Sequence, residues 1–207
     1  MIEIILLVSS ALFIFALKLF GRPSSAHRAN TFAMLAMGLA IFSAFNFDFS
    51  KYDSTFYITI VVSGLLGVLI SKRVQMTQMP ELVGLFNGFG GGASGAIAYV
   101  ELSGSSIPIS DVFVAIFSMV IGMFTFSGSL VAVMKLRGKL NNFSKKLADI
   151  FSVFLPTIIL IPVVLEMDDL LIEFIILVSL VGGVIRVAVI GGADMPVVIA
   201  FLNSLSG

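Results

Sequence analysis

Cysteine is absent from this sequence, histidine occurs once, and charge is scarce. Each shortage excludes a class of chemistry. Without cysteine there are no disulfides, thiolate nucleophiles or iron–sulfur ligands. A lone histidine, His27, leaves no histidine-rich metal site within the chain. Charged residues make up 12% of the 207, about half the roughly 25% of an average globular domain. So few charges cannot coat a soluble fold of this size, which removes an ordinary cytosolic enzyme. The 12 basic and 12 acidic residues cancel, and with them goes the electrostatic case for binding nucleic acid. No Walker-type phosphate loop occurs. What the chain does have is apolar residues, 58% of the total, and a mean hydropathy of +1.13. Its partner is the lipid bilayer, and the expected fold is all-α: a polytopic transmembrane helical bundle.

Apolar runs of near-spanning length predict helices at about 2–20, 31–47, 56–71, 82–100, 112–134, 149–165 and 170–190. An eighth begins near Met195 and reaches Gly207 after about 13 residues, only ~20 Å against a hydrocarbon core of ~30 Å. It reads as truncated or completed elsewhere. The first helix opens on Met1-Ile2-Glu3 and is followed by Lys18, Arg22 and Arg28. That is the reverse of a signal peptide and predicts a retained anchor with its N-terminus outside. With alternating helices, Lys18, Arg22, Arg28, Lys72, Arg73, Lys135, Arg137, Lys139, Lys145, Lys146 and Arg186 fall inside and only Lys51 outside. Asp48, Asp53, Glu101, Asp111, Glu166, Asp168 and Asp169 fall outside. The connections, about 4–15 residues, are too short for a soluble catalytic domain.

Two stretches resemble each other. Met79-Pro80 is followed seven residues later by Asn87 and then Gly88, Gly90 and Gly91; Met195-Pro196 is followed seven residues later by Asn203 and then Ser204 and Ser206. Proline suits a first helical turn, and seven residues carry each asparagine ~10 Å inward. Both segments start at the inner surface, so two carboxamides lie at similar depth on parallel helices. They can hold a short water chain or each other, or they are simply interhelical glue. Gly84, Gly88, Gly92 and Ala96 recur every four residues and predict a smooth face for close backbone approach, with Gly91, Ser94 and Gly95 beside it. Gly90-x-Gly92-x-x-Gly95 has the letters of a dinucleotide fingerprint but lies within a membrane helix, without the strand that the motif requires.

Asp194 and Glu81 sit at inner helix starts, where a carboxylate either caps the helix or exchanges protons with the amide pair. Thr125, Ser127 and Ser129 supply hydroxyls that either join helices or line a wet path. Arg186 is expected to snorkel inward, Glu173 to be interfacial, and His27 to lie in a basic inner loop. Pro156 and Pro162 predict kinks in the sixth helix. The ten methionines and twenty phenylalanines read as lipid-facing and packing bulk.

Val74-Gln75-Met76-Thr77-Gln78-Met79-Pro80-Glu81-Leu82-Val83, Phe126-Ser127-Gly128-Ser129-Leu130-Val131-Ala132, Gly191-Gly192-Ala193-Asp194-Met195-Pro196-Val197-Val198 and Asn203-Ser204-x-Ser206-Gly207, in that order, closely resemble the β-subunit membrane domain of proton-translocating nicotinamide nucleotide transhydrogenase. The likeness covers essentially the whole chain. It implies a domain, 1–207, that conducts protons for an oxidoreductase complex coupling hydride transfer between NAD(H) and NADP(H) to proton translocation. It also implies that the chain itself is not catalytic and binds no cofactor or metal. NAD(H) and NADP(H) would be held by partner domains: the transhydrogenase α subunit and an NADP(H)-binding domain that follows the β-subunit helices. The implied setting is a dimer of protomers in the inner (plasma) membrane, or the mitochondrial inner membrane of a eukaryote. By this resemblance Asn203 would belong to the proton path and Asp194 would lie at the cytosolic face beneath the NADP(H) domain; the reading of the residues themselves adds Asn87, Glu81, Ser127 and Ser129 to the expected path. Many members of that family carry histidine where this chain has Asn87. An amide does not titrate near neutrality, so the proton carrier must lie elsewhere. A self-contained small transporter and a membrane scaffold are the competing readings.

Overall fold

The computed structural model describes residues 2–44, 52–104, 108–140, 145–146, 149 and 169–206. Among them every regular element is helical: α1 (Ile2–Phe20), α2 (Ala26–Ala44), α3 (Ser54–Arg73), α4 (Met79–Leu102), α5 (Ile109–Leu136), α6 (Asp169–Ala188) and α7 (Met195–Ser206). Helices α1, α3 and α6, and α5 from Asp111 onward, are long and apolar enough to cross a membrane. The molecule is an all-α membrane helical bundle. The predicted helix at 149–165, with Pro156 and Pro162, lies outside the described residues except for Asp149. Asp48, Lys51, Glu166, Asp168 and Gly207 also lie outside them.

The chain divides into two compact units, Met1–Lys72 and Arg73–Gly207. In the first, α1 and α2 form an antiparallel hairpin around a 3-10 turn, Pro23–Ser25. The seam uses small residues seven apart: Ala29, Ala36 and Ser43 on one helix, Ser9 and Ala16 on the other, all buried. Small side chains let the backbones approach closely, and the Ser9 hydroxyl donates to the Ala36 carbonyl at 2.7 Å. Helix α2 starts at Ala26 rather than near residue 31. Hydropathy marks where side chains turn apolar, whereas the backbone is already helical through the polar first turn. His27 therefore lies in that turn, not in a loop, and its carbonyl accepts from Thr31 Oγ1 at 3.2 Å.

The second unit is built around α5, which packs on α4, α6 and α7. Near the start of α5, Ala98, Ala115, Ile116, Met119, Ile172 and Ile175 form one buried apolar cluster. Near its end, Val131, Ala132, Val187, Met195, Ile199 and Leu202 form another. Between the two lies a polar middle third.

The close-packed seam of α4 was expected every four residues through Ala96, but Ala96 is exposed. The buried small residues are Gly84, Gly88, Gly91, Gly95 and Ala98, alternating steps of four and three. Each four-residue step overshoots a turn, so three of them carry Ala96 about 120° away from Gly84. A lasting seam needs the 3.5-residue average of supercoiled helices.

Candidate functional site

The two Met-Pro segments begin alike in the fold. Each is preceded by a 3-10 turn, Met76–Gln78 and Gly192–Asp194, that runs directly into the helix. Proline stands second in α4 and in α7, within the first turn, where it removes no helical hydrogen bond. The matching starts place the two asparagines at matching heights. Asn87 and Asn203 line one open cleft of about 620 Å³, with Phe86, Gly90, Pro196 and Ser206.

The two amides are not equivalent. Asn87 is 8% exposed, and its Nδ2 donates to the Ser129 hydroxyl of α5 at 2.9 Å. Asn203 is exposed to the cleft and makes no side-chain hydrogen bond among the described residues. Asn87 is thus anchored to a hydroxyl, while Asn203 faces the open space. Gly88 makes the anchor possible, since a Cβ there would stand 3.2 Å from the Ser129 Cβ. At Gly84, Gly92 and Gly95 an added Cβ would come within 2.9 to 3.0 Å of Ile199, Phe126 and Met123 side-chain atoms. These four glycines set the distance between α4 and its neighbours.

The hydroxyls of α5 divide by face. Thr125 and Ser129, one turn apart, meet α4: a Cβ on Gly91 would reach the Thr125 Cβ at 2.8 Å. Ser127 points to α6, where a Cβ on Gly183 would fall on its Oγ, and it donates to the Phe124 carbonyl at 3.3 Å. Ser127 belongs to the α5–α6 contact and Ser129 to the α4–α5 contact, behind Asn87 of the cleft wall. Ser204 and Ser206, beyond Asn203, donate to carbonyls of their own helix at 3.0 and 3.1 Å.

The carboxylates also separate. Glu81, in the first turn of α4, accepts from Arg137 Nε at 2.6 Å, so its charge is engaged at the end of α5. Asp194 is exposed in the turn before α7. Its side chain caps nothing among the described residues, leaving it available to solvent. Arg186 is exposed in the last turn of α6.

One residue of consequence read from sequence only as one of the inside cations. Lys135 is 5% exposed, and its Nζ donates to the Ile190 carbonyl in the turn between α6 and α7. A helix C-terminus leaves carbonyls without intrahelical donors, and the ammonium meets one beyond α6. The signal available was its place in the last turn of α5, two residues before the exposed Arg137.

Gly90 to Gly95 is continuous helix inside α4, with Gly91 and Gly95 against Gly122 of α5. A dinucleotide needs the turn between a strand and a helix N-terminus, so this run does not fit one.

A family model described as the NAD(P) transhydrogenase beta subunit matches residues 2–207. The NAD(P) transhydrogenase subunit beta of Rhodospirillum rubrum is 30% identical over 215 aligned positions, covering 97% of this chain and 46% of that protein. The same protein from a designated strain of R. rubrum matches equally. The chain spans about half the length of the curated relatives that it matches.

Proposed function

Because the chain belongs to the NAD(P) transhydrogenase beta-subunit family, we propose that it forms the proton-conducting membrane part of an enzyme that couples hydride transfer between NAD(H) and NADP(H) to proton movement across the bilayer. The observation that carries this reading is the buried Asn87–Ser129 hydrogen bond at the wall of a cleft shared with Asn203. Amides and hydroxyls both donate and accept, so such a row can pass protons along ordered water without holding charge in lipid.

In this reading Asp194, exposed before α7, exchanges protons at the inner surface, and Asn203 carries them past the cleft mouth to Asn87 and Ser129. Lys135 holds the Asp194 turn against α5. Glu81, engaged by Arg137, fixes the start of α4 and is less suited to proton exchange than Asp194. Nucleotides are bound by partners, an NADP(H)-binding domain and the α subunit, in a plasma-membrane complex of two protomers. Protonation here and nucleotide binding there would be linked equilibria, each shifting the other.

Asn203→Leu tests the path. In inverted membranes, NADPH-driven reduction of an NAD analogue should fall by about tenfold or more, with assembly of the complex unchanged on native gels. Normal coupled activity in an assembled Asn203→Leu complex contradicts the path. Proton flux without either nucleotide would favour a stand-alone transporter.

A further inference from the structure

Thr125 is completely buried, and its Oγ1 has no hydrogen-bond partner among the described residues. Ser43 Oγ, in the first unit, is likewise buried without a partner among the described residues, whereas several other helical hydroxyls turn back on their own helix. Thr31, Thr59, Ser179, Ser204 and Ser206 each donate to the carbonyl four residues earlier in their own helix. An unpaired buried hydroxyl is destabilising, and valine would fill the same space. Packing alone does not require the oxygen.

Its surroundings suggest its use. Thr125 lies one turn before Ser129 on the same face of α5. Side chains so spaced have Cβ atoms about 5–6 Å apart, a span that one water covers with two hydrogen bonds of about 2.8 Å. Ser129 Oγ accepts from Asn87, which leaves its own proton free to donate. Beyond Thr125, toward the start of α5, polar groups give way to Ala98, Ala115, Ile116 and Met119, all nearly or fully buried. In the same place α4 and α5 meet backbone to backbone: a Cβ on Gly122 would lie 2.5 Å from the Gly91 carbonyl oxygen.

We propose that Thr125 is the last polar station of the Asn87–Ser129 row, reached from Ser129 through a single water, and that the row ends there against a dry barrier. The proposal rests on the proton-path reading above. The site makes a half-channel that is open toward Asn203 and closed at Thr125. Each hop makes one O–H bond as it breaks another, so the station passes a proton without keeping one. Protons cross only when the glycine contact beyond Thr125 loosens.

The test uses the whole transhydrogenase containing this chain, in proteoliposomes, with Thr125→Val, Thr125→Ser, Thr125→Ala and Ser129→Ala. Thr125→Val should keep the thermal midpoint and lower the proton-coupled rate about tenfold, while Thr125→Ser stays within about twofold of the parent. The H2O/D2O rate ratio should rise in Thr125→Val, a change that a packing defect would not produce. If the valine variant does not assemble, Thr125→Ala against Thr125→Ser decides, because that pair differs by the hydroxyl. Equal rates in each such pair overturn the station. A full rate in Thr125→Val beside a slow Ser129→Ala removes Thr125 and leaves the path; full rates in both remove the path as well.

Discussion

Gly122→Ala is expected to separate α4 from α5 and to lower the stability of the bundle. The added Cβ would stand 2.5 Å from the Gly91 carbonyl oxygen, 2.6 Å from the Gly95 nitrogen and 2.9 Å from the Gly95 Cα. All three are backbone atoms of the facing helix, so no side chain can rotate away and the helices must part. Overpacking typically costs about 1–3 kcal/mol, and the upper end applies where only backbone can yield. Gly67→Ala is the control: nothing lies within 4 Å of its added Cβ, and alanine in a helix interior gains roughly 0.5–1 kcal/mol over glycine. Thermal unfolding of detergent-solubilised protein should place Gly122→Ala well below the parent and Gly67→Ala at or above it. Equal midpoints for both would mean that the α4–α5 contact is looser than the geometry states. Loss of coupling should accompany loss of stability, because Asn87 and Ser129 meet across the same pair of helices.

Asn87→Leu is expected to abolish coupled transfer while leaving the bundle assembled. Leucine is apolar and fits a largely buried position beside a cleft, but it cannot donate to Ser129. The serine then loses its partner, at about 1–3 kcal/mol for an unsatisfied buried group, well short of unfolding a membrane bundle. A proton path interrupted by an apolar side chain should slow by about a hundredfold or more, the lower range seen when positioned proton-transfer groups are removed. Asn87→His separates the amide from the mere need for a polar group. It keeps a donor toward Ser129 and adds a group that titrates at about 6.5 when unperturbed. Coupling should survive in Asn87→His, and the pH profile should gain an inflection where the imidazole titrates. The rates of both variants, read beside the amount of assembled complex, check the prediction. Wild-type coupling in Asn87→Leu would leave the Asn87–Ser129 bond as interhelical glue.

The sequence showed the asparagine pair because the two Met-Pro starts fix helical phase and height together. Equal spacing from equal starts gives Asn87 and Asn203 similar depth, and the packing of α7 on α4 brings them to one cleft. It did not show that Ser129 holds Asn87, since that depends on which face of α5 turns toward α4, and hydroxyls two residues apart look alike in sequence. Ser127 and Ser129 face different helices for this reason. The close packing of α4 was legible at Gly84, Gly88, Gly92 and Gly95 but not at Ala96, because a strict period of four rotates off a supercoiled seam. The start of α2 was missed because its first turn is polar, and hydropathy follows side chains rather than backbone. Lys135 read as one more inside charge; its burial follows from the α6–α7 turn folding back over the end of α5, a long-range contact that no local pattern announces.

The most direct test of the central claim is NADPH-driven reduction of an NAD analogue in inverted native membranes, with and without an uncoupler, compared with membranes lacking this gene. The account predicts activity that depends on the gene and changes with the uncoupler, which ties hydride transfer to proton movement through this chain. Equal activity in both membranes, or gene-dependent activity indifferent to the uncoupler, would contradict it.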